Sequence, residues 1–242
     1  MIEQKLLNKF NQYVKRFDVS NKAIVGKFHH TYRVLEYAKQ IGMSLNLNER
    51  DMWLAQICAL LHDIGRFKQN ALYNTYDDII SIDHGKLGYD ILKEGLINDF
   101  VVDENEQKTV LFAVLNHNKL RILKTNDVNK FFTNIIRDAD KMDILKEQAL
   151  TVNDENPKVN KQIIDCLYQK TAIQNELVKT DIDVILRCLG FIFDINYKYT
   201  YKFILNEKII ENKINLLEIY TNEDMSDLKD YLLDYVKIQI RK

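Results

Sequence analysis

Residues 54–67, Leu-Ala-Gln-Ile-Cys-Ala-Leu-Leu-His-Asp-Ile-Gly-Arg-Phe, set the strongest condition on the fold. The stretch is apolar on nearly every side of a helix, and such a helix is buried. It ends in adjacent His62 and Asp63. A buried imidazole beside a buried carboxylate is costly unless both are paired or hold a metal. Gly65 follows at once and is expected to stop the helix in the left-handed conformation, leaving the pair on a last turn that faces a cavity.

One proline and seven glycines in 242 residues leave few helix breakers. Apolar spacing predicts helices nearly throughout. The first covers 2–17 and the second about 28–43, with His30 on its apolar face. Asn48, with Asp51 three residues on, suits an N-terminal cap for the central helix. A polar, aromatic loop is expected over 68–81. Asp83 then opens a helix that keeps His84, Leu87 and Ile91 on one face and ends at Gly95. A further helix spans about 104–116 and carries Val110, Ala113, Val114 and His117 on one stripe. A long one from about Val128 to Leu150 aligns Phe132, Ile136, Ala139, Asp140 and Asp143. Asn153–Asn160 is polar, contains Pro157 and reads as a linker or loop. Three or four amphipathic helices fill 161–241, with Ile182–Tyr199 the most apolar and Leu228–Ile240 closing the chain. The expected fold is all-α. Residues 1–150 form the site-bearing domain, and 151–242 add C-terminal helices packed on it rather than an independent domain.

A formal net charge of −1 offers no general surface for nucleic acid. No apolar stretch approaches the ~18 residues of a membrane span. Cys58, Cys166 and Cys188 have no paired spacing and read as small apolar side chains in a reducing cytoplasm.

Four of the five histidines, His30, His62, His84 and His117, fall on the apolar stripe of a helix or at its end. Asp63 and Asp140 join them, and the six come from five helices. Helical bundles build metal sites from such converging side chains. Neutral imidazole and ionised carboxylate suit Mn, Fe, Co, Ni or Zn. Any one of these histidines taken alone is more readily a core residue satisfied by a backbone carbonyl. Four on inward faces together with two inward aspartates point to a metal.

The segments His30-Thr31-Tyr32-Arg33-Val34, Leu61-His62-Asp63-Ile64-Gly65-Arg66 and Arg137-Asp138-Ala139-Asp140-Lys141-Met142-Asp143 resemble, in order and spacing, the motifs of the HD-domain metal-dependent phosphohydrolases. The resemblance covers about residues 25–150. It implies an HD-type helical bundle and hydrolysis of a phosphate ester or anhydride, the expected substrate being a nucleotide or another small phosphorylated metabolite. His30, His62, Asp63 and Asp140 match the family's metal ligands. His84 and His117 match the additional histidines of its two-metal subgroups. The expected cofactor is therefore one or two divalent ions (Mn, Fe, Ni, Co, Zn or Mg).

Asp63 is expected to bridge two ions or act as general base. Arg66, at the mouth of the site, suits a bidentate grip on phosphate, and Lys141 a contact with substrate or with a ligand. Asp83 and Asp138 are candidates to orient ligand histidines. His29 faces away from His30 along the helix. The aromatic residues of 191–203 read as core rather than as a base-stacking platform. Two other readings stand beside hydrolysis: a di-iron oxygenase of HD type, and a regulatory module that binds a nucleotide without turning it over.

Overall fold

The computed structural model describes residues 2–147, 152–155 and 157–242. No strand occurs among them, and the all-α expectation holds. They form two compact units, Met1–Asp140 and Lys141–Lys242.

The first unit begins with α1 (Gln4–Val14), α2 (Lys22–Ser44) and α3 (Glu49–Leu61). Asn48 caps α3 as its sequence predicts, its side-chain oxygen accepting from the Asp51 amide. Every residue from Leu54 to Leu61 is buried, the polar Gln56 included. α2 packs along α3, and α3 packs on α6 (Glu104–Asn116). Phe10, Phe28, Tyr32 and Phe67 gather into an aromatic cluster, with Phe10–Phe67 centroids 5.9 Å apart. That cluster anchors α1 beside α2 and the segment that carries Phe67.

The central helix does not stop at Gly65. The backbone breaks at Asp63 (φ −102°, ψ 19°) and a new helix, α4 (Ile64–Tyr73), starts immediately. Gly65 sits inside its first turn, and its reason is steric. A Cβ there would lie 2.3 Å from the His84 carbonyl oxygen and 2.6 Å from the Gly88 nitrogen, both on α5 (His84–Lys93). Two backbones meet face to face at this point. Because α4 runs to Tyr73, the loop predicted over 68–81 is confined to 74–83.

Asp83 caps α5 through the Lys86 amide, and Gly95 takes φ +126° just beyond its end. α6 has the predicted bounds. α7 (Asp127–Glu147) carries Asp140, and the helix end expected near Leu150 lies outside the described residues.

The second unit contains α8 (Lys161–Gln169), α9 (Asp181–Gly190), α10 (Lys198–Asn206), α11 (Ile209–Thr221) and α12 (Ser226–Arg241). Its core is aliphatic, built around Ile185, Leu189, Ile204, Ile214, Leu217 and Leu232. Tyr201 is buried in it and Phe191, Phe193 and Phe203 pack against it, so these four aromatic residues of 191–203 belong to this core. The apolar run 182–199 is not one helix. It ends at Gly190, makes a 3-10 turn over Phe191–Asp194 and restarts at Lys198. The Ile195 carbonyl freed by that break accepts from the Tyr201 hydroxyl.

Gly65→Ala should cost about 2–4 kcal/mol, because neither backbone it would strike can move alone. Gly26→Ala, in α2 with nothing within 4 Å of the added carbon, should stabilise by about 0.5–1 kcal/mol. Urea unfolding of both variants checks the contrast, and equal midpoints would refute the close-approach account.

Candidate metal centre

His30 projects from α2, His62 ends α3, and Asp63 occupies the break before α4. His84 opens α5, His117 ends α6, and Asp140 lies on α7. The four histidines and Asp63 are buried, and Asp140 is partly exposed. All six converge on one point.

Asp63 stands in the middle. Its Oδ2 lies 3.4 Å from both His30 Nε2 and His62 Nε2. Its Oδ1 lies 3.4 Å from His84 Nε2 and 3.5 Å from His117 Nε2. Asp140 Oδ1 joins the first pair, 3.2 Å from His30 Nε2 and 3.9 Å from His62 Nε2. One carboxylate is thus shared between two histidine pairs, and a second carboxylate serves one of them.

Hydrogen bonds fix the tautomers. His62 Nδ1 is 2.7 Å from the Ala59 carbonyl and His117 Nδ1 is 2.8 Å from that of Val114. A carbonyl only accepts, so both rings carry their proton on Nδ1 and present a bare Nε2. His84 Nδ1 donates to Asp78 Oδ2 across 2.6 Å. Burial lowers the His84 pKa to about 4, against the opposing pull of Asp78 and Asp63, so the ring is neutral at pH 7. Its Nε2 then faces that of His117 at 3.0 Å, lone pair to lone pair. A cation turns that repulsion into attraction, and the donor set of imidazole nitrogens and carboxylate oxygens suits a divalent transition metal.

The carboxylates are held ionised. Burial alone would raise Asp63, but the Lys27 ammonium beside it and the surrounding His62, His117 and His30 outweigh it and hold the group well below the usual range. Asp140 is likewise depressed, with His30 and His62 overcoming burial and the nearby Asp63 charge. Lys27 Nζ lies 2.8 Å from Asp63 Oδ2.

The ends of the ligand-bearing elements are tied down. Arg137 Nη1 donates to the carbonyls of Asn116 and His117, and to that of Lys119, gripping the end of α6 that carries His117. Gln69, wholly buried, uses Nε2 on Asp78 Oδ1, Ser81 Oγ and the Ile82 carbonyl, which pins loop 74–83.

The residue that orients His84 is Asp78 rather than Asp83. Asp83 instead caps α5, accepts from Asn118 and pairs with Lys119. Asp138 is fully buried on α7. His29 is exposed. Arg66 does not stand open at a mouth. Its Nη1 is committed to Gln69 Oε1, the Tyr76 carbonyl and Asp78 Oδ1, while Nε lies 3.7 Å from Asp63 Oδ1. Lys141 belongs to the second unit, where its Nζ lies 2.8 Å from Asp194 Oδ2. Lys27, Gln69, Asp78 and Tyr76 are additions that helical periodicity does not reveal.

The model of the HD domain matches residues 28–154, more than half of the chain. The protein belongs to the HD-domain family. No curated protein and no solved structure matches it. HD domains bind divalent metals. Two groups of side chains within the HD core, His30–His62–Asp140 and His62–Asp63–His117, bring their ligand atoms within 4.8 Å of one another and could each hold an ion. A third such group, Asp78–Asp83–His84, is already consumed by the hydrogen bonds and ion pairs above.

Asp78→Ala removes the acceptor that fixes His84. Metal affinity should fall by about 10- to 100-fold, as for other outer partners of ligand histidines. Calorimetric titration of metal into folded protein measures it, and an unchanged affinity would restrict Asp78 to holding its own loop.

Proposed function

We propose that this HD-domain protein is a metal-dependent hydrolase of a phosphate ester or anhydride, acting on a nucleotide or another small phosphorylated metabolite. The observation that carries the reading is the position of Asp63, with one oxygen toward His30 and His62 and the other toward His84 and His117. His30, His62, Asp63 and Asp140 would hold one ion, and Asp63, His84 and His117 a second. Divalent metal supplies charge neutralisation on the non-bridging phosphate oxygens and hydroxide at neutral pH.

The chain's own groups do the rest. The Asp63 carboxylate ties the two halves of the site into one unit and keeps both oxygens ionised for that duty. Lys27 and Arg66 add positive charge beside it, which favours a phosphoryl group over a neutral substrate. Buried walls from α3, α5 and α6 limit the water that reaches the centre. That exclusion strengthens each electrostatic contact made there.

Two measurements test this reading. Metal-to-protein stoichiometry should be about two for the wild type and about one for the His84→Ala, His117→Ala double variant. A wild type that saturates at one ion would return both histidines to contacts with substrate. Turnover on a panel of phosphorylated compounds should vanish in Asp63→Ala while its helical circular dichroism persists, because the carboxylate's partners are cations and imidazoles rather than packed apolar groups. Near wild-type turnover in that variant would remove Asp63 from the reaction. Oxygen uptake without phosphate release would move the protein to the oxygenase reading.

A further inference from the structure

Two donors beside the metal centre are buried with no hydrogen-bond partner among the described residues: the Tyr76 hydroxyl and Arg66 Nε, the latter in a longer ionic contact with Asp63. Proteins seldom leave buried donors unmatched, and such groups are natural ligand contacts. The Tyr76 ring lies near two cations, with Lys27 Nζ 5.8 Å and Arg66 Cζ 5.6 Å from its centroid. Those same cations flank Asp63, Lys27 on Oδ2 and Arg66 near Oδ1. The three side chains are therefore grouped beside the Asp63 carboxylate.

We infer that Tyr76, Lys27 and Arg66 form a phosphoryl-binding subsite next to the metal centre, in which the Tyr76 hydroxyl and Arg66 Nε donate to non-bridging oxygens and Lys27 supplies the counter-charge. The assignment of a phosphoryl group rests on the hydrolase reading, and the geometry adds which residues recognise it. Each of the three contributes a different kind of contact. Tyr76 is a donor because a phenol keeps its proton at neutral pH. Arg66 is held rigidly through Nη1, which bonds to Gln69, Asp78 and the carbonyl of Tyr76 itself, so Nε keeps one direction. The last of those bonds also fixes loop 74–83 where the phenol belongs. Lys27 has a free choice of acceptor, since an ammonium can turn from a carboxylate to a phosphate without changing its stem.

Loop 74–83 is thus a recognition element, in which Tyr76 supplies a hydrogen bond while Lys27 and Arg66 supply the preference for an anionic group.

The test uses full-length protein loaded with one chosen metal, with inorganic phosphate as the probe and calorimetry as the readout. Tyr76→Phe keeps the ring and removes only the donor. Its Kd for phosphate should rise about 10- to 100-fold with metal stoichiometry unchanged, the size expected for one lost hydrogen bond to a charged group. Lys27→Gln should raise the Kd further. Tyr73→Phe, a half-exposed tyrosine at the end of α4, should leave it unchanged. An unaltered Kd in Tyr76→Phe, or no phosphate affinity in the loaded wild type at millimolar concentration, overturns the subsite. If the affinities shift as expected but no phosphorylated compound is turned over, the subsite stands and the hydrolase reading fails.

Discussion

Everything in the HD core depends on how Asp63 is shared. A buried carboxylate needs partners for both oxygens, and here each oxygen faces a pair of imidazole nitrogens. Those nitrogens are bare on at least three rings, because the opposite nitrogen of His62, His84 and His117 is spent on a fixed acceptor. The arrangement is electrically incomplete as a set of protein groups alone, since lone pairs meet at 3.0 Å between His84 and His117. Divalent cations complete it. The same logic explains why so many polar side chains are tolerated in an otherwise apolar interior.

The fold supplies this geometry through three local devices. The break at Asp63 ends α3 and restarts the chain as α4, which turns two sequence neighbours, His62 and Asp63, toward the same centre. The glycine contact between Gly65 on α4 and the first turns of α5 lets His84 approach to within 3.4 Å of Asp63. Arg137 holds the carbonyls at the end of α6 and so sets the direction of His117. Each device acts on a helix end. Ends are where side chains leave the ladder of backbone hydrogen bonds and can be aimed.

The ligand set was legible because it obeys helical periodicity. His30, His84, His117 and Asp140 sit on the apolar stripes of amphipathic helices, and a polar residue on such a stripe must face inward. The His-Asp pair was legible from the apolar run before it, and the family motifs fixed the order. What escaped had no periodic signal. Gly65 looks like a helix stop in sequence, whereas its cause is a backbone 19 residues further on. Asp78, Gln69 and Tyr76 act through hydrogen bonds and ring contacts across the α4–α5 connection, which composition alone reads as a polar loop. Asp83, which its sequence offers both as a helix cap and as a candidate to orient a ligand histidine, serves as the cap. In the second unit, the apolar run 182–199 reads as one helix because its apolar residues continue past Gly190 through the 3-10 turn with no proline to mark the break.

The central claim is that one carboxylate joins two metal sites. Anomalous diffraction from crystals grown with a single transition metal tests it most directly. The account predicts two peaks about 3.5–4 Å apart on either side of Asp63, one close to His30, His62 and Asp140 and the other close to His84 and His117. A single peak at full occupancy, or peaks that leave Asp63 out of both coordination shells, would contradict it.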